Sequence, residues 1–158
     1  MNILDQFRYS RDDPSQLNIK LKQDPYEKVG TSKNQNINNL LSTSVKVSKE
    51  IFPGISVAID NVFNRLKIKN SFSFFVTANH LEVQATCSAM PLGDTAEIIL
   101  TSKLIELLNI EELESIIAHE IAHFYYQHSL YPPISEAKTR IEKLNLLNFS
   151  RAAEISAD

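Results

Sequence analysis

The sequence predicts an α+β fold: a small, mainly antiparallel three-stranded sheet from Ser71 to Thr101, packed against a buried helix, with further helices before and after. Three observations carry this. Ser71–Thr77 (SFSFFVT), Leu81–Cys87 with its apolar–polar alternation, and Ala96–Thr101 (AEIILT) are short runs rich in β-formers. Apolar residues at 3–4 spacing flank that region on both sides. The stretch Glu112–His128 (ELESIIAHEIAHFYYQH) is apolar almost all round, the mark of a helix buried in a core.

At 158 residues the chain has the length of one domain and can bury a real core. Its 43% hydrophobic and 22% charged residues are ordinary for a globular protein, and a net charge of −3 without a Lys/Arg cluster offers no footprint for nucleic acid. No run approaches the roughly 18 apolar residues of a membrane span. The N-terminus, MNILDQFRYSRDD, lacks the basic-then-apolar order of a signal peptide. Cys87 is the only cysteine, which excludes an intrachain disulfide and favours the cytoplasm.

Residues 1–36 are polar and broken by Pro14, Pro25 and Gly30, and read as an arm or linker; the domain proper is expected over 37–158. No residue of the arm argues that it is a pro-segment over an active site. A helix capped by Asn38 or Asn39 would carry Leu40, Leu41, Val45, Val47 and Ile51 and stop at Pro53-Gly54. A second would carry Ile55, Ala58, Ile59, Val62, Phe63 and Leu66. Cys87 falls on the apolar side of its strand, as a small buried hydrophobe, and His80 in the preceding turn reads as a solvated loop residue. Pro91–Asp94 breaks the pattern before the third strand, after which Ser102 is placed to cap Lys103–Leu108. The next helix starts at Asn109 or Ile110, with Glu111, Glu112 and Glu114 suited to the positive end of its dipole. Beyond Pro132-Pro133, Ile134, Ala137, Ile141 and Leu144 or Leu147 mark another helix, and Ser150 could cap a last one.

The chemistry lies in the buried helix. His119, Glu120 and His123 spell H-E-x-x-H, and residues i and i+4 stand only about 40° apart around a helix. Both imidazoles can therefore reach one Zn²⁺, with Glu120 in reach of a water beside it. Burying these three groups in an apolar helix is costly unless a metal or partner compensates.

A catalytic zinc needs a third protein ligand and an open fourth position. His128, Glu136, Glu142, Glu154 and Asp158 are the downstream candidates. Continued as helix, His128 would lie about half a turn from His119 and face away. It also lacks the glycine that turns the chain ahead of the third histidine of metzincins. Glu154 and Asp158, four residues apart on one helix face, could supply a ligand and an acceptor for a ligating imidazole's free N–H. They could equally be an exposed acidic helix end paired with Arg151, and spacing does not decide.

E-L-E-S-I-I-A-H-E-I-A-H, followed downstream by S-R-A-A-E-I-S-A-D, resembles the M48 family of zinc metallopeptidases, over roughly Cys87 to Asp158. The resemblance implies a zincin-like fold with one zinc per chain held by His119, His123 and Glu154. It makes Glu120 the catalytic base and Asp158 the residue that holds a ligating histidine, and it agrees with a non-ligand role for His128. Three departures stand out. Only thirty residues separate His123 from Glu154, a shorter connection than in many relatives, though longer than in thermolysin-like zincins. The membrane-spanning helices of better-known members are absent, and the chain stops at Asp158, where relatives continue with another helix, as expected of a C-terminally truncated catalytic domain.

The function expected is zinc-dependent hydrolysis of peptide bonds in a peptide or protein substrate. Ala96, Glu97, Ile98, Ile99 and Leu100 are expected to form the edge along which an extended substrate adds as a strand. Tyr125, Tyr126 and Tyr131 are candidate oxyanion donors, with packing the expected role of each. The alternative is a non-catalytic or autoinhibited zinc-binding domain acting through protein partners, its fourth position closed by Cys87 or an arm residue.

Overall fold

The computed structural model describes residues 3–13, 15, 42–89 and 95–158. The strands are Ser44–Lys46 (β1), Ser71–Thr77 (β2), Ala85–Ala89 (β3) and Thr95–Thr101 (β4), in the order β1-β2-β4-β3. β2 and β4 run parallel in the middle, Ser71 opposite Thr95 through Thr77 opposite Thr101, while β1 and β3 lie antiparallel outside them. The sheet is therefore four-stranded and mixed, where three mainly antiparallel strands were expected. The chain leaves β2, passes beyond the position of β4 to lay down β3, and returns as β4 between the two, so β2 and β4 share a direction.

β1 replaces part of the first expected helix. Val45 and Val47 lie two apart, a spacing that serves a strand as well, and the Val47 N–H donates to the Phe74 carbonyl at 2.8 Å. The expected cap and the leucines at 40 and 41 lie outside the described residues. Pro53-Gly54 opens helix Pro53–Leu66 (α1) instead of closing one, because proline's missing N–H has no helical partner at that position anyway. Lys67, in the left-handed region at φ 55°, closes α1, and Ile68 N–H returns to the Phe63 carbonyl.

The second strand starts at Ala85, four residues later than expected. Its partner β4 ends at Thr101, and Thr101 takes over the preceding loop: its hydroxyl donates to Glu82 O at 2.7 Å and accepts from Gln84 N–H at 3.1 Å. Thr101 also accepts from Leu104 N–H and so caps the short helix Ser102–Leu107 (α2), one residue ahead of the expected Ser102.

Helix Ile110–Tyr125 (α3) starts where expected, with a reciprocal capping box between Asn109 and Glu112. Glu114 is not part of a solvated acidic end. It is buried and takes hydrogen bonds from Asn61 (2.6 Å) and Arg65 (3.2 Å), tying α3 to α1. The core lies between these helices and one face of the sheet: Ala58 and Val62 of α1, Phe74 and Val76 of β2, Ile98 and Leu100 of β4, and Leu113, Ile117 and Ile121 of α3.

Single 3-10 turns at His128–Leu130, before Pro132-Pro133, and at Ile134–Glu136, after them, lead into one helix, Arg140–Ala157 (α4), opened by a Thr139–Glu142 capping box. The two helices expected here are thus a turn and a helix. Ser150 lies inside α4 because no breaker interrupts the stripe Leu146, Phe149 and Ala153, whose burial outweighs serine's small helix penalty.

Residues 3–13 are not a solvated arm. Leu4 packs with Ala122, Tyr126 and Ala157, and Asp12 is fully buried. The rest of the expected arm lies almost wholly outside the described residues, and no described helix is long and apolar enough to cross a membrane.

Candidate metal centre

α3 carries His119, Glu120 and His123, and α4 brings Glu154 and Asp158 against them. His119 Nε2 and His123 Nε2 stand 2.9 Å apart, and Glu154 Oε2 lies 3.3 Å from the first and 3.6 Å from the second. Ligands about 2.0–2.1 Å from a tetrahedral ion sit about 3.3 Å from one another, so this triangle has the size of one face of such a site. Among the described residues these three form the only group of His, Cys, Asp or Glu spaced for a metal ion. Among the described residues, no fourth such side chain joins them.

Both imidazoles turn Nε2 to the common point and Nδ1 away from it. His119 Nδ1 meets Asp158 Oδ1 at 2.9 Å, which leaves Nε2 free of a proton and able to ligate. His123 Nδ1 meets His128 Nδ1 at 2.6 Å. Burial, with the neighbouring His128 adding to it, pulls the His123 imidazole down to about 4, so it is held neutral. The donor set fits a divalent metal of the zinc kind: two imidazoles and a carboxylate.

His128 does not face away. α3 ends at Tyr125, and Gln127 adopts the left-handed region at φ 58°, which turns the chain back so that the His128 ring comes 4.8 Å from that of His123. His128 remains outside the ligand group. The apolar spacing of the helix carries no trace of such a turn, since Gln is not a residue that marks it.

Glu120 stands beside the triangle, next to β3. Burial pushes its carboxyl up, against the charge of His119 and the Cys87 backbone N–H that it accepts. A cavity of about 620 Å³ opens on these residues, with Ala85, Thr86 and Cys87 of β3 along one side and Phe124, Pro133, Leu146 and Phe149 along another. None of the described residues before position 42 lines it.

The expected substrate edge, Ala96–Leu100, is corrected by this geometry. β4 is paired on both sides and has no free edge; among the described strands beside the cavity it is β3 that presents one. Cys87 lies on that strand; burial, reinforced by Glu120, raises its thiol to about 12, and its sulfur stands outside the group spaced for a metal ion. The three tyrosine hydroxyls are all engaged: Tyr125 donates to Asn70, Tyr126 to the Leu4 carbonyl and Tyr131 to Asp12, each at 2.7 Å. Glu142 is occupied in the α4 capping box, and His80 stands 3.3 Å from the Ser102 hydroxyl, away from the centre.

Two histidines one helical turn apart, a carboxylate from a second helix and a further glutamate facing an open cavity make the arrangement of a metallohydrolase. A sequence model of peptidase family M48 matches residues 55–146, more than half of the chain, and the chain belongs to that family of metallopeptidases. The matched span includes His119, Glu120 and His123 and ends before Glu154, which joins the centre through the packing of α4 on α3. No curated protein and no solved structure matches the chain.

Proposed function

We propose that the protein is a zinc-dependent endopeptidase, with His119, His123 and Glu154 as ligands and Glu120 as general base. The observation that carries this reading is the triangle of Nε2, Nε2 and Oε2, open on its fourth side to the cavity and to Glu120. Zinc bound there would supply Lewis acidity and lower the pKa of a coordinated water towards about 7. Glu120 accepts a proton from the attacking water and returns it to the leaving amine, and its bond from the Cys87 backbone holds it between β3 and the ligands. An extended peptide pairs along the free edge of β3, which runs beside the ligands. The apolar wall formed by Phe124, Pro133, Leu146 and Phe149 favours substrates with a large apolar side chain next to the scissile bond.

The test is Glu120→Gln on the full chain, with peptide cleavage and metal content measured together. Cleavage falls by at least about 10²-fold while zinc content stays near one per chain. A variant with wild-type turnover removes Glu120 from the reaction. A wild-type protein that takes up no zinc at neutral pH overturns the proposed function as a whole.

A further inference from the structure

His123 is linked through His128 to the other end of the described chain. Asp12 is completely buried and lies 116 residues from His128 in sequence, yet the His128 Nε2 meets Asp12 Oδ2 at 2.9 Å. Tyr131 donates its hydroxyl to Asp12 Oδ1 at 2.7 Å, and Arg8 Nε donates to Oδ2 at 3.2 Å. Every partner of the carboxylate is thus a donor, and Asp12 sits there as an acceptor only. Facing it, a His128 ring with a single proton carries that proton on Nε2 and turns the Nδ1 lone pair to His123 Nδ1, 2.6 Å away. Two ring nitrogens at that separation hold one proton between them, so His123 keeps its proton on Nδ1. Its Nε2 is then unprotonated and directed at His119 Nε2 and Glu154.

We propose that Asp12 is a positioning residue for the metal centre, acting through His128 to fix the tautomer and ring orientation of His123. The proposal rests on the reading of His119, His123 and Glu154 as a metal-binding set. It assigns to residues 8–12, which lie outside the family match, a part in metal binding parallel to that of Asp158 on His119. Were the Asp12 acceptor lost, His128 would be free to move its proton to Nδ1. His123 would then have to protonate Nε2, the atom that must face the metal.

The experiment compares zinc affinity of wild type and Asp12→Asn, by competition with a chromophoric chelator, at a temperature where both metal-free proteins are folded. Asp12→Asn is expected to bind zinc about 10–100-fold more weakly. Equal affinity overturns the proposal. Tyr126→Phe serves as the control for general loosening: it removes the bond to the Leu4 carbonyl, which anchors the same N-terminal residues, and leaves the relay intact. It should lower the melting temperature with zinc affinity within about twofold of wild type; a loss equal to that of Asp12→Asn overturns the proposal. A second measurement needs no variant. Imidazole ¹⁵N shifts of the metal-free wild type should show His123 protonated on Nδ1 and His128 on Nε2, and the opposite tautomers overturn the relay. Failure of the wild type to bind zinc at all overturns the ligand set itself, which separates that outcome from failure of the Asp12 relay.

Discussion

Each histidine of the proposed ligand set is held at both nitrogens, and the two are held differently. His119 has a carboxylate, Asp158, on Nδ1, whereas His123 has the ring of His128, whose own acceptor is Asp12. Glu154 contributes its carboxylate from a side chain that is 58% exposed, so its position depends on α4 and not on surrounding packing. Replacing it should therefore act on the metal and hardly on the fold. Glu154→Ala is expected to weaken zinc binding far more than Glu136→Ala, with melting temperatures of the two metal-free variants close to wild type; equal affinities would remove Glu154 from the ligand set. At this scale the sequence was legible where the chemistry is local. His119, Glu120 and His123 declare themselves through one turn of one helix. Glu154 and Asp158 declare only that they share a face, because their meeting with α3 is a matter of tertiary packing. His128 was misplaced because a continued helix was assumed, and the left-handed Gln127 breaks that assumption.

Among the elements, the junction of β4 and α2 does the most to place the free edge beside the cavity. Thr101 closes β4, caps α2 and fastens the loop that delivers the chain to β3, all through one buried hydroxyl. Thr101→Val keeps the shape and removes each of these bonds. Loss of the cap and of the loop's acceptor together should cost about 2 kcal/mol, seen as a drop of several degrees in melting temperature. Ser102→Ala, at the position the sequence favours as the cap, should cost less, since the Ser102 hydroxyl meets only the Asn79 carbonyl and the exposed His80 ring and caps no helix. If Ser102→Ala proved the more damaging, the assignment of the hub to Thr101 would be wrong. The helices α1 and α3 and the strands β2 and β4 could be read because each keeps one period over seven or more residues. β1 could not: three residues are too few to distinguish a strand from a helix by spacing. The order β1-β2-β4-β3 was likewise beyond local signals, because a parallel central pair depends on which way the chain returns from β3.

At the scale of the molecule, residues 4–12 and the last helix close over the back of α3. Leu4 packs on Ala122 and Ala157, the Tyr9 N–H donates to Ser156 Oγ at 3.0 Å, and Asp12 joins Arg8, His128 and Tyr131. Burial alone would raise the Asp12 carboxyl, but the hydrogen bonds from His128 and Tyr131 hold it below its usual value. A carboxyl depressed in the folded state adds stability that is present above its unfolded pKa and is lost as pH falls through the folded one. The melting-temperature gap between metal-free wild type and Asp12→Asn should therefore be wide at neutral pH and shrink as pH drops below about 4. A gap that does not change with pH would show that Asp12 is not ionised in the fold. None of this closure was legible beforehand, because a polar composition describes residues 1–36 fairly well while saying nothing about the few that dock.

The thirty residues between His123 and Glu154 also set an order of events during synthesis. On the proposed ligand set, α3 is made first and carries two histidines and the glutamate that would act beside them, but only two of the three ligands. The third arrives with α4, and holds its place only after α4 has folded back onto α3. A growing chain thus has no complete centre to load, and tight metal capture waits for the fold that encloses it. On that reading, the centre is completed only once both helices are made and packed together.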